Sequence, residues 1–91
     1  MSASTSRIVR IENKRGLHAR ASAKFVTLAS QLGTPVEVAK DGNRVCGTSI
    51  MGLMMLGAAR GDSIEISASG DGADEAVARL TRLVEDKFGE D

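Results

Sequence analysis

His18 is the only histidine of the 91-residue chain, and it directly precedes a segment with helical periodicity. An imidazole changes its charge near neutral pH and can serve as a nucleophile. The first backbone N–H groups of a helix have no partner inside the helix, so they can hydrogen-bond an anion beside the imidazole. Arg20 adds a fixed positive charge two residues further along. Together these features suit a site that holds a phosphoryl group.

On the residues alone, a lone histidine at a loop–helix junction has three interpretations: a structural cap, one half of a catalytic pair, or a covalent acceptor of a phosphoryl group. A catalytic pair requires a nucleophile and an orienting carboxylate beside the same imidazole, and no spacing in the sequence places them there. Four glycines recur at intervals of five but match neither a P-loop nor a dinucleotide-binding motif: Gly42, Gly47, Gly52 and Gly57. An independent hydrolase or small-molecule phosphotransferase is therefore disfavoured.

The composition excludes further classes of protein. The 12 basic and 12 acidic residues balance, so nothing in the net charge indicates a nucleic-acid partner. No apolar run approaches the roughly 20 residues of a membrane span, and we expect a soluble cytoplasmic protein without a membrane partner. Cys46 is the only cysteine, which excludes an intramolecular disulfide, and with a single histidine it offers no metal-ligand spacing. We expect Cys46 to be buried or half-buried.

The elements that must position His18 follow from hydrophobic periodicity. Residues 1–6 are small and polar and are expected to be disordered, which leaves a single domain over residues 7–90. Periodicity within that domain predicts the order βαββαβα. The predicted strands cover residues 7–12, 35–40, 43–46 and 63–68, and the predicted helices cover residues 19–32, 50–56 and 73–88. Gly33 ends the first helix, and Thr48 or Ser49 caps the second.

The predicted strands alternate apolar and polar residues, so each has one face for a core and one for water. Such strands build an antiparallel sheet with helices on one side and solvent on the other. We therefore expect an α+β fold, an open-faced β-sandwich in which three helices cover one face of a four-stranded antiparallel sheet.

The short second helix is apolar on every side. If Leu53 and Leu56 face the core, then Ile50, Met51 and Met54 must face elsewhere. Complete burial is difficult in so small a domain, which favours a contact surface for partner proteins. Unbranched, polarizable methionine side chains can adapt to several partners.

Two motifs resemble those of the histidine-containing phosphocarrier proteins, HPr, of the bacterial phosphotransferase system. They are G-L-H-A-R at residues 16–20, followed by F-V at 25–26, and G-T-S-I-M-G-L-M at 47–54. The resemblance extends over roughly residues 7–90 and implies the HPr-like variant of the open-faced β-sandwich.

The resemblance implies that His18 accepts a phosphoryl group on Nδ1 from phosphorylated enzyme I and donates it to an enzyme IIA domain. The protein would then be a covalently phosphorylated carrier and not an enzyme, and we expect it to be a monomer that needs no cofactor. An alternative is a nitrogen-related regulatory carrier, a binding module whose phosphorylation state is the signal instead of sugar uptake.

Three backbone N–H groups at the helix start are expected to bind the phosphoryl oxygens, those of Ala19, Arg20 and Ala21, with a charge-assisted contact from the Arg20 side chain. Members of the family commonly have proline where this chain has Ala21. Proline fixes φ and lacks an N–H, so alanine is expected to add a donor while the loop loses some rigidity.

Ser49 matches the serine that a dedicated HPr kinase/phosphorylase modifies in some bacteria, although Thr48 replaces the basic residue that many such members carry before it. The alternative role of Ser49 is an ordinary helix cap.

The resemblance and the apolar helix together predict a partner-docking surface around His18 and Arg20. It is formed by Ala23, Thr27, Ile50, Met51 and Met54.

Overall fold

Alternating apolar residues form four antiparallel strands in a computed structural model that describes residues 4–90. The strands are β1 (Ser4–Arg10), β2 (Val36–Lys40), β3 (Asn43–Cys46) and β4 (Ser63–Ser69), and the helices are α1 (Ala19–Leu32), α2 (Ile50–Met55) and α3 (Ala73–Glu85). The strands pair in the order β1-β4-β2-β3 within one open sheet. The predicted α+β class and the order βαββαβα are confirmed.

One face of the sheet carries the hydrophobic core. Val9 lies opposite Ile64, and Val38 lies opposite Ile66, and all four side chains are buried. The helices close this face with buried side chains from α1 and α3: Phe25, Ala29, Val77, Leu80 and Val84. Each fully buried large apolar side chain contributes about 1.5–3 kcal/mol. The core therefore fixes the position of α1 and of the residues at its start.

β1 begins earlier than the sequence predicts. Ser4 pairs with Ser69 and Ser6 pairs with Ser67, so the strand starts at Ser4 and not at Arg7. The expectation of disorder is therefore wrong for residues 4–6, because pairing with β4 orders a segment whose small polar side chains carry no strand signal of their own. The same expectation for residues 1–3 lies outside the described residues.

α1 has the predicted bounds. Gly33 follows it with φ of 70° and donates its N–H to the Ala29 carbonyl at 3.3 Å, which is the left-handed helix end that glycine adopts most readily. At 14 residues α1 is the longest helix. Within residues 4–90, no helix combines the length and the apolar character needed to cross a membrane.

The chain leaves α3 at Glu85, so the helix predicted over residues 73–88 is three residues too long. A short 3₁₀ turn follows over Lys87–Gly89, and Lys87, Phe88 and Gly89 have φ of 58°, 56° and 75°. A right-handed helix cannot continue through left-handed residues. The Phe88 side chain is still buried in the core, as the apolar pattern predicts, but its backbone is left-handed and not helical.

The loop between β1 and α1 lies close to the segment before β4. Gly16 has φ of 64°, and a Cβ atom at this position would lie 2.3 Å from the Ala58 carbonyl oxygen. Leu17 donates its N–H to the same carbonyl oxygen at 3.0 Å. Glycine is therefore required at residue 16, both for its φ and for the close approach that places the next two residues.

Cys46 is exposed, so the expectation that it is buried or half-buried is wrong. It ends β3, which is an edge strand, and its side chain alternates with that of the half-buried Val45. The Cys46 Sγ lies 3.1 Å from the Thr48 Oγ1. Hydrogen bonds with the side chain and backbone of Thr48 hold the pKa of the thiol below its ordinary value.

Candidate functional site

His18 is the N-cap of α1, and its backbone is extended, with φ of −76° and ψ of −179°. Its Nδ1 accepts a hydrogen bond from the backbone N–H of Arg20 at 3.3 Å, and its carbonyl accepts one from the Ser22 N–H at 2.9 Å. Nδ1 therefore carries the lone pair. A cap of this kind points that lone pair at the start of the helix, where the helix dipole favours negative charge.

The other ring nitrogen contacts a carboxylate from the far end of the fold. Nε2 of His18 lies 2.6 Å from Oε2 of Glu90, and the two side chains are 21% and 18% exposed. An ionised carboxylate can only accept, so the proton belongs on Nε2. The contacts of both nitrogens thus agree on one tautomer, with Nε2 protonated and Nδ1 free to act as a nucleophile.

Asn13 holds the second oxygen of this carboxylate. Its Nδ2 donates to Oε1 of Glu90 at 3.1 Å and to the carbonyl of Gly16 at 2.8 Å. The Asn13 side chain is fully buried. One amide therefore ties the loop before His18 to the carboxylate that orients His18.

Glu90 is ionised at neutral pH. Its burial on its own raises the pKa of the carboxyl, but the hydrogen bonds from Asn13 and His18 outweigh that effect, together with the positive charge of Lys24 and that of the His18 ring in its protonated form. The net result is a pKa below the usual value for glutamate. The negative charge of the Glu90 carboxylate therefore lies beside Nε2, whereas a reaction of the ring would take place at Nδ1.

The predicted phosphoryl-binding donors lie where the sequence places them. Ala19, Arg20 and Ala21 are the first three residues of α1, whose N–H groups precede the first helical hydrogen bond, that of Ser22. The Arg20 side chain is exposed, and within residues 4–90 its guanidinium makes no ion pair. The Arg20 guanidinium is thus available to an incoming anion. Ala21, in contrast, is fully buried.

The predicted docking residues lie on two helices that contact each other, α1 and α2. Ala23 is half-buried and Thr27 is exposed, and on α2 Met51 is 72% exposed. Ile50 and Met54 are less exposed, whereas Leu53 is fully buried as expected. Met55, at 78%, was not among the predicted residues, although it is the most exposed large apolar side chain in the described part of the chain.

Ser49 is the N-cap of α2. Its Oγ accepts a hydrogen bond from the Gly52 N–H at 3.0 Å, so Ser49 caps the helix and Thr48 does not. Ser49 is half-buried. Its hydroxyl is therefore near the surface and at a helix N-terminus, next to the exposed apolar side chains of α2.

Sequence reasoning did not identify Glu90 or Asn13 as site residues. Asn13 is of a residue type typical of turns, and Glu90 follows the last apolar position without any motif. Glu90 lies 72 positions from His18 and Asn13 lies 77 positions from Glu90. No local spacing can indicate contacts between residues so far apart, so only the fold brings these groups together.

Comparisons with known proteins find relatives that match most of the chain. The family profile described as "PTS HPr component phosphorylation site" matches residues 5–86. The phosphocarrier protein HPr of Neisseria meningitidis is 52% identical over 82 residues, which cover 90% of this chain and 92% of that protein. The phosphocarrier protein NPr of Shewanella violacea is 37% identical, with coverage of 92% of both chains.

Solved structures give the same result. The crystal structure of an HPr from Thermoanaerobacter tengcongensis superimposes with a TM-score of 0.90 at 44% identity. The superposition covers 96% of this chain and 98% of that one. The similarity thus spans nearly the whole of both chains.

Proposed function

The chain belongs to the HPr family of bacterial phosphocarrier proteins, and we propose that His18 is its phosphoryl acceptor, loaded on Nδ1 by phosphorylated enzyme I and unloaded to an enzyme IIA domain. Proteins of this family carry a phosphoryl group and do not turn over a substrate. The proposed partners place the carrier in the cytoplasm, where we expect it to act as a monomer.

The observation that carries the proposal is the pair of contacts at the His18 ring. Arg20 N–H marks Nδ1 as the lone-pair nitrogen, and Glu90 holds the proton on Nε2. During loading, the Nδ1 lone pair forms a bond to phosphorus while the bond between phosphorus and the donor breaks. The Nε2 proton stays in place, so the ring needs no proton transfer, and the Glu90 carboxylate stabilises the positive charge that develops on it.

The cap hydrogen bond supplies a donor for the loaded state. At 3.3 Å the bond from Arg20 N–H to Nδ1 is long, so it is weak and readily displaced. When Nδ1 bonds to phosphorus, this N–H and those of Ala19 and Ala21 are the donors proposed to hydrogen-bond the phosphoryl oxygens. The exposed Arg20 guanidinium adds a charge-assisted contact. An open set of donors also suits release, since a partner must be able to compete for the phosphoryl group.

Incubation with enzyme I and phosphoenolpyruvate, followed by mass spectrometry, tests the proposal. We expect one acid-labile phosphoryl group on the intact protein and none on His18→Ala, because phosphohistidine is unstable in acid. Addition of an enzyme IIA domain should then remove the label. Acid-labile labelling of a folded His18→Ala protein would contradict the assignment.

The nitrogen-related alternative is not favoured, because the relative named NPr is 37% identical to this chain and the HPr of Neisseria meningitidis is 52% identical. Both alternatives use the same chemistry at His18. They differ in the acceptor, so a comparison of transfer rates to sugar-specific and nitrogen-related enzyme IIA domains distinguishes them.

Regulatory phosphorylation of Ser49 by an HPr kinase/phosphorylase is a further part of the proposal. The half-buried Ser49 Oγ lies at the N-terminus of α2, where a phosphate is favourable for the helix itself. Its charge would lie beside the apolar side chains of Ile50 and Met51 and oppose docking. An acid-stable phosphate on the wild-type protein, absent from Ser49→Ala, is the expected result with such a kinase, and an unmodified wild-type protein would contradict it.

A further inference from the structure

The C-terminal turn, residues 86–90, reverses the chain after α3 and returns Glu90 to His18. Lys87, Phe88 and Gly89 adopt left-handed backbone angles in succession. Glycine does this without strain, but a lysine and a bulky phenylalanine do not. This backbone persists only if other contacts compensate for its strain.

Three kinds of contact hold the C-terminal turn. The Phe88 side chain is fully buried in the core. Gly89 N–H donates to the Asp86 carbonyl at 3.0 Å, and Glu90 N–H donates to the Lys87 carbonyl at 2.8 Å. The remaining contact comes from outside the turn, where Nζ of Lys24 donates to the Phe88 carbonyl at 2.7 Å.

Lys24 lies on α1, the helix that His18 caps. Its ammonium group donates to the carbonyl of Phe88, two residues before Glu90, and this hydrogen bond is partly buried. The same charge also lowers the pKa of the Glu90 carboxyl. Lys24 thus links the helix that carries the nucleophile to the turn that carries its orienting carboxylate.

We infer that Lys24 is a positioning residue for His18: by holding the Phe88 carbonyl, it keeps Glu90 on Nε2 and so keeps the lone pair on Nδ1. Lys24 does not touch the ring and takes no part in the bond changes. Its effect on transfer rests on the proposed function, whereas its effect on the tautomer does not.

The ¹⁵N chemical shifts of the His18 ring measure the tautomer directly and need no partner protein. In Lys24→Met we expect the ring to move from the Nε2–H form toward the mixture of a free imidazole. Lys24→Arg can donate to the same carbonyl and should keep the wild-type shifts. Lys40→Met removes the same charge from the β2–β3 hairpin, where Lys40 pairs with Asp41 and Asp62 and not with the C-terminal turn, and should change nothing at the ring.

A second-site variant separates positioning from partner contact. Lys87→Gly removes the strain at φ of 58°, so it should let the turn form without Lys24. In the Lys24→Met background it should restore the ring shifts and the rate of loading by enzyme I. We expect Lys24→Met alone to be loaded about three- to tenfold more slowly, the scale of one lost hydrogen bond.

Wild-type ring shifts in a folded Lys24→Met protein would overturn the inference, whatever the rate of loading. Slow loading that Lys87→Gly does not restore would also overturn it, since Lys24 would then act on a partner. If the wild-type protein itself is not loaded, the proposed function fails, and the ring shifts still decide the role of Lys24.

Discussion

The Glu90 carboxylate lies 2.6 Å from Nε2 of His18, although 72 positions separate the two residues. The contact places a negative charge on the side of the ring opposite to Nδ1. In the proposed function, it would fix the tautomer before a phosphoryl donor arrives and stabilise the ring charge that the transfer creates. The consequences of this pair and of its surroundings can be measured.

Glu90→Gln should slow the loading of His18 by enzyme I about three- to tenfold, because a neutral amide stabilises the developing charge on the ring less well. Stopped-flow or quenched assays with phosphorylated enzyme I measure the rate. Glu85→Gln, on the exposed end of α3, is the matched control and should load at the wild-type rate. Equal rates for Glu90→Gln and the wild type would show that the carboxylate is not needed.

The stability of the protein should depend on pH through Glu90. Its pKa is lowered in the folded state, so the carboxylate stabilises the fold above the ordinary glutamate value of about 4.3. This contribution is lost as the pH falls through the lower folded value. Urea unfolding from pH 7 to pH 3 should show the wild type losing its advantage over Glu90→Gln. A difference that stays constant across this range would contradict the assignment.

Gly16→Ala should destabilise the protein by more than about 2 kcal/mol, because the new Cβ atom would lie 2.3 Å from the Ala58 carbonyl oxygen. Gly57→Ala is a close control, since Gly57 has the same φ of 64° with no atom within 4 Å of the added Cβ. Its cost should be only the left-handed backbone, about 1–2 kcal/mol. Denaturant unfolding of both variants measures the difference, and equal losses would show that the contact with Ala58 relaxes freely.

Ala21→Pro should weaken the hold on the phosphoryl group, because proline removes one of the N–H groups at the start of α1. We expect faster transfer to enzyme IIA and faster hydrolysis of phosphorylated His18. The two rates are followed by loss of the acid-labile label with and without the acceptor. If neither rate changes, the Ala21 N–H has no part in the anion site.

Met51→Glu should raise the KM for loading by enzyme I more than tenfold, because it places a charge within an apolar contact. Met55→Glu tests whether the docking surface extends to the residue that the sequence did not indicate. Ile8→Glu is the matched control, since Ile8 is 71% exposed on the opposite, open face of the sheet. A loss with Ile8→Glu equal to that with Met51→Glu would contradict docking through α2.

The sequence was sufficient where local signals decide the structure. The bounds of α1 follow from His18 at one end and Gly33 at the other, and the β2–β3 hairpin follows from its turn residues. The sequence also places the cap of α2 at Thr48 or Ser49, and the structure assigns it to Ser49. The candidate nucleophile, its arginine and the helix N–H groups are neighbours in the sequence, so one motif indicates all of them.

The sequence failed where contacts between distant segments decide the structure. Ser4–Ser6 is ordered by pairing with β4, and Cys46 is exposed because it pairs with the exposed Glu37 on the open face of the sheet. The left-handed angle of Phe88 opposes the local preference of the residue. Glu90 could not be assigned to the site for the same reason, since its place depends on that turn.

The separation of His18 and Glu90 along the chain makes reactivity a property of the completed fold. Their contact requires α1, α3 and the sheet to be packed and Phe88 to lie in the core. Until then, the imidazole has no fixed tautomer and no set of helix donors. A nascent or misfolded copy would therefore present an ordinary surface histidine, and folding itself would decide which copies can be charged.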